Sequence, residues 1–168
     1  MVNCVSNDGA SANAVNANVI SGNTGHGLDI AFSATNNTAT ANTIGAGVNR
    51  TTPLGNVGAG VLVNFSSTGN TVGGSSAALG NFVSANGLGG IVVGNGSSGA
   101  RIFANTVSGN TGHGIEITGS AGAIVGLASP PNIVIANTGD GIRLTGAGTT
   151  GTLVQGNFVG VIPNACRS

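Results

Sequence analysis

Charge is nearly missing from this chain: its 168 residues include four Arg, no Lys and four acidic residues, for a net charge of +0. That excludes the basic patch that nucleic-acid phosphates demand. It also removes the electrostatic repulsion that keeps most proteins apart in solution, which leaves assembly open. Trp and Tyr are absent, and there are only 5 Phe, 4 Pro and 2 Cys. No apolar run approaches the roughly 20 residues needed to span a bilayer as a helix. The opening Met-Val-Asn-Cys-Val-Ser-Asn-Asp has no basic region followed by an apolar stretch, so it does not read as a signal peptide. An exported protein would therefore carry this chain as a mature or excised part.

Glycine is abundant, at 32 residues, and 40% of the chain is hydrophobic. Low hydrophobicity with high net charge is the composition of disorder, so this chain is expected to fold. Glycine and β-branched residues are poor helix formers, and Val, Ile and Thr stand here in short runs between Gly, Asn and Ser. Strand and turn alternate on that pattern, and the class is all-β.

The segment 108–117, Ser-Gly-Asn-Thr-Gly-His-Gly-Ile-Glu-Ile, already stands once at 21–30 with Leu28 and Asp29 in place of Ile and Glu. Looser copies surround both. The glycine ahead of each apolar triplet falls at 27, 60, 90, 114 and 141, in steps of 33, 30, 24 and 27 residues. That period suits one solenoid turn of three short strands. Alternation along a strand then predicts two inward columns: Ile20, Ile44, Val83, Val107, Val134 and Val159 in one, Leu28, Val61, Ile91, Ile115 and Ile142 in the other. Coils spaced by about 4.8 Å set like residue over like. Asn18, Asn42, Asn81, Asn105, Asn132 and Asn157 form one expected corner ladder, and Asn23, Asn56, Asn86, Asn110 and Asn137 a second. The amide side chain can bond both its own turn and the next coil, and the glycines are expected to serve corners with positive φ.

The run Asn42-Thr-Ile-Gly, Leu54-Gly-Asn, Gly60-Val-Leu-Val, Asn70-Thr-Val-Gly-Gly, Asn81-Phe-Val-Ser-Ala-Asn and Gly90-Ile-Val-Val resembles the right-handed parallel β-helix repeat proteins of bacterial secreted and cell-surface type, which share the pectate-lyase-like solenoid fold. The resemblance covers nearly the whole chain. It implies one right-handed parallel β-helix of about five to six coils over residues 1–168. It also implies an extracellular or cell-surface setting, in which such repeats serve as passenger and adhesin segments, while the wider fold hosts polysaccharide-degrading enzymes. Both termini are expected to fall mid-coil, leaving sheet edges that invite pairing with another chain.

His26, His113 and Asp140 share one repeat position, and Asp29, Glu116 and Arg143 another, on the outward face where lyases of this fold hold their sites. His113 with Glu116 suggests a base and its orienter, and the wider set suggests metal ligands. Two salt-bridge rungs, Glu116 with Arg143 and His113 with Asp140, explain the same residues at less cost. Enzymes of the fold gather acids around calcium beside an Arg or Lys base, whereas Asp8, Asp29, Glu116 and Asp140 are widely spread, so no catalytic residue, metal or cofactor is expected. Cys4 and Cys166, at opposite ends of the stack, are expected on the order of 25 Å apart, which argues against an internal disulfide and leaves either free thiols buried in the stack or a bridge from Cys166 of one copy to Cys4 of the next.

The expectation that follows is an extracellular structural protein whose partner is itself, stacked head to tail into a filament or built into a longer solenoid. Arg143 is expected to meet Asp29, and Asp140 to meet His26, across the junction. A carbohydrate-binding or adhesin module gripping polysaccharide is the alternative, and a polysaccharide lyase or hydrolase the remote one.

Overall fold

Short β-branched triplets between glycine and asparagine can extend only briefly before the chain turns. The computed structural model, which describes residues 5–127 and 130–160, accordingly resolves into strands of two to six residues. The first coil holds β1 (Val5–Asp8), β2 (Ala14–Asn16) and β3 (Val19–Ile20). The second holds β4 (Leu28–Ala31), β5 (Thr38–Thr40) and β6 (Thr43–Ile44), and the third β7 (Ala59–Val63), β8 (Thr71–Gly73) and β9 (Phe82–Ser84). The fourth holds β10 (Gly89–Val93), β11 (Arg101–Phe103) and β12 (Thr106–Ser108). The fifth holds β13 (His113–Thr118), β14 (Ile124–Val125) and β15 (Ile133–Ile135), and the sixth β16 (Ile142–Thr145), β17 (Leu153–Val154) and β18 (Phe158–Val159). Corresponding strands of successive coils pair in parallel, giving three six-stranded sheets. The protein is a parallel β-solenoid of six turns.

Both expected columns stand in register. The third sheet pairs Ile20 with Ile44, Ile44 with Val83, Val83 with Val107, Val107 with Val134 and Val134 with Val159. The first sheet stacks Leu28, Val61, Ile91, Ile115 and Ile142. Two further columns complete the interior: Asn7, Ile30, Val63, Val93, Ile117 and Leu144 in the first sheet, and Val15, Ala39, Val72, Ile102, Val125 and Val154 in the second. From the second coil through the fifth these side chains are buried.

The repeated glycines at 27, 60, 90, 114 and 141 answer to something other than corner dihedrals. None of the five adopts positive φ. A Cβ on Gly114 would lie 2.4 Å from Val134 Cγ1 and 2.6 Å from the Gly141 carbonyl oxygen, and one on Gly90 would lie 2.3 Å from Val107 Cγ1. Glycine stands there because the backbone of one coil rests against the valine column of its own coil and on the next coil's carbonyl. Positive φ falls instead on residues ahead of ladder asparagines, where Ala17, Ala41, Ala85, Ala104 and Ala136 hold φ between 53° and 59°, and Gly22 and Gly109 hold 72° and 63°.

Asn7 interrupts an otherwise apolar column, and its Nδ2 is buried with no hydrogen-bond partner among the described residues. Such an atom costs about 1–3 kcal/mol. Asn7→Ile, matching Ile30 above it, is expected to raise stability by about 1–2 kcal/mol in urea unfolding.

The insertion between the second and third coils folds as a small hairpin: Ala46 and Pro53 form an antiparallel bridge, and Gly47 N donates to Thr52 O at 2.9 Å. It lays Arg50 over the third sheet, with Nε donating to Thr43 Oγ1 at 3.1 Å and the guanidinium 5.7 Å from the Phe82 ring centroid.

Candidate functional site

Residues on the outward side of the first sheet are carried at fixed pitch by the ladder beneath them. Ser6, Asp29, Leu62, Val92, Glu116 and Arg143 form one outward row. His26 and His113 sit three residues ahead of Asp29 and Glu116, so the two His-x-x-acid pairs lie in the second and fifth coils. Three coils at about 4.8 Å separate them by roughly 14 Å. They are two sites rather than one. Among the described residues no group of three or more His, Cys, Asp and Glu comes together.

The fifth and sixth coils do bring charged side chains into contact. Arg143 Nε lies 3.8 Å from Glu116 Oε1, and His113 Nδ1 lies 3.4 Å from Asp140 Oδ2. The Asp140 backbone amide donates to His113 Nδ1 at 2.9 Å, while Arg143 Nη1 approaches His113 Nε2 at 2.7 Å. Nδ1 thus meets both the amide and the carboxylate of Asp140, and Nε2 meets the Arg143 guanidinium. His26 is used alike, its Nδ1 accepting the Ala59 amide at 3.0 Å. In both places the imidazole caps an amide of the next coil. Because Arg143 is exposed, its ion pair with Glu116 is worth about 0–1 kcal/mol. Glu116→Ala and Arg143→Ala are each expected to change unfolding stability by less than about 1 kcal/mol, measured by urea titration.

The asparagine ladders are the most extensive polar arrangement in the molecule. In the first, Asn18 N and Nδ2 donate to Asn42 Oδ1, Asn42 to Asn81, Asn81 to Asn105 and Asn105 to Asn132, all at 2.8–3.1 Å, and Asn132 Nδ2 donates to Asn157 Oδ1 at 2.8 Å. In the second, Asn23, Asn56, Asn86, Asn110 and Asn137 are joined in the same way. A third, which sequence reading missed, links Asn13, Asn37 and Asn70 at the entry to the second sheet. Its signal was Asn five residues ahead of Asn18 and of Asn42. It was obscured because the position becomes Ala100 and Ala123 in later coils. A stacked pair, Phe32 over Phe65 with centroids 4.8 Å apart, was also missed, since Asn95 stands at that corner in the next coil.

Cys4 and Cys166 lie outside the described residues. Within the described residues no helix is long and apolar enough to cross a membrane. A scan against protein-family models, a search of curated proteins and a search of solved structures each return no match.

Proposed function

We propose that this chain is a structural protein that builds length: an extracellular parallel β-solenoid that stacks end to end into a fibre or forms part of a longer surface solenoid. The observation that carries the reading is the sixth coil. There Leu144, Val154 and Val159 are 47%, 42% and 42% exposed, whereas Ile117, Val125 and Val134, one coil below, are at 0%. Another coil laid on that face would bury the exposed remainder of all three, at about 0.6–1.4 kcal/mol each, a little under half of the full-burial value. The outward rows argue in the same direction: one position accepts Ser6, Asp29, Leu62, Val92, Glu116 and Arg143 alike, while the parts that recur are those that hold coil to coil.

Sedimentation velocity over a hundredfold concentration range tests this. Growth into larger species with concentration is the expected result, and a single monomeric species throughout would overturn self-stacking. Monomer together with saturable binding to one polysaccharide on a glycan array would favour a carbohydrate-binding module. Cleavage of uronic-acid polymers that is lost in His113→Ala and Glu116→Ala would favour a lyase.

A further inference from the structure

The asparagine ladders have a polarity. In every rung described above, the backbone amide or side-chain Nδ2 of one Asn donates to Oδ1 of the Asn one coil closer to the C-terminus. The first-coil face therefore presents the acceptors Asn18 Oδ1 and Asn23 Oδ1, and the sixth-coil face presents the amide of Asn157. Two like faces would set acceptor against acceptor or donor against donor. Unlike faces continue the ladder.

Resting on the self-stacking reading, we propose that the partner is a second copy of this chain, seated head to tail in ladder register, so that its first coil acts as a seventh coil. In that register Val154 lies under Val15, Ile142 under Val5 and Val159 under Ile20, itself already buried. Arg143, whose side chain is 43% exposed, lies under Ser6 of the next copy. Ser6 Oγ donates to Asp8 Oδ1 at 2.9 Å, which places a carboxylate two residues along the same strand, within reach of a long guanidinium side chain. The charge pair across the junction is thus Arg143 with Asp8. The pairing of Arg143 with Asp29 expected from the sequence gives way to it, because Asp29 stands over Ser6, one coil in from that face. Asp140 likewise already faces His113 within its own chain.

Paired cysteines read the register directly. Neighbouring parallel strands lie about 4.8 Å apart, inside the Cα separation of about 4.4–6.8 Å that a disulfide accepts. In a Cys4→Ser, Cys166→Ser background, Ser6→Cys with Arg143→Cys is expected to give a ladder of covalent multimers on a non-reducing gel after mild oxidation. Asp29→Cys with Arg143→Cys is expected to give none. Crosslinking by the second pair alone, in material that still forms filaments, overturns the register and leaves self-stacking intact. Absence of association by the unsubstituted chain overturns both. With both native cysteines kept, Asp8→Lys is expected to raise the concentration at half-assembly several-fold, and Arg143→Glu added to it to restore assembly. No shift with Asp8→Lys would sink the Arg143–Asp8 contact.

Discussion

Asn105→Ala is expected to lower stability by about 4 kcal/mol, a loss far larger than a surface asparagine would give. Asn105 is 0% exposed in the fourth coil, and its Nδ2 donates to Val72 O at 2.9 Å and to Asn132 Oδ1 at 3.1 Å. Its Oδ1 accepts both the Asn81 amide, at 3.0 Å, and Asn81 Nδ2, at 2.9 Å. Truncation leaves the Asn81 amide and the Val72 carbonyl without these partners inside the stack, and each such buried group costs about 1–3 kcal/mol. The void left by the lost carboxamide adds to that. Asn18→Ala, in the exposed first coil, removes an Nδ2 donor whose place water can take, and is expected to cost about 1 kcal/mol. Urea midpoints of the two variants decide the matter: equal losses would mean that the ladder contributes no more inside the stack than at its end.

Gly114→Ala is the second severe case. The added methyl would meet Val134 Cγ1 at 2.4 Å, the Gly141 carbonyl oxygen at 2.6 Å and Asn137 Nδ2 at 2.8 Å. The carbonyl cannot retreat without lengthening the ladder between β13 and β16, and Asn137 cannot turn without leaving its own ladder. A loss of about 3 kcal/mol or more is expected. Gly109→Ala makes the comparison. Its nearest contact would be Ser84 Oγ at 3.6 Å, so only the strain of a left-handed alanine at φ +63 remains, about 1 kcal/mol. If Gly109→Ala proved the more damaging, dihedral freedom rather than close approach would govern these positions.

That comparison marks where sequence reading reached its limit. The period of the glycines located every coil boundary, yet composition cannot separate a glycine needed for positive φ from one needed for clearance. Only the distance from Gly114 to Val134 makes the distinction. The inward columns were legible because Ile20 to Val159 and Leu28 to Ile142 recur at fixed offsets from asparagine and glycine. The second sheet was not, because its landmark Asn13, Asn37 and Asn70 gives way to Ala100 and Ala123, which leaves no fixed offset from which to count the single inward residue of each strand. The two longer ladders were legible for the same reason as the columns. The rungs of Glu116 with Arg143 and His113 with Asp140 followed from repeat position alone. The approach of Arg143 to both Glu116 and His113 did not, since it depends on where a long side chain lies across two coils.

The measurement that bears most directly on the central claim is a negative-stain micrograph of the unsubstituted chain at high concentration without reductant. Six coils at about 4.8 Å make a subunit roughly 29 Å tall. The account predicts unbranched filaments one solenoid wide, with an axial repeat near that height. Uniform short particles at every concentration would contradict it.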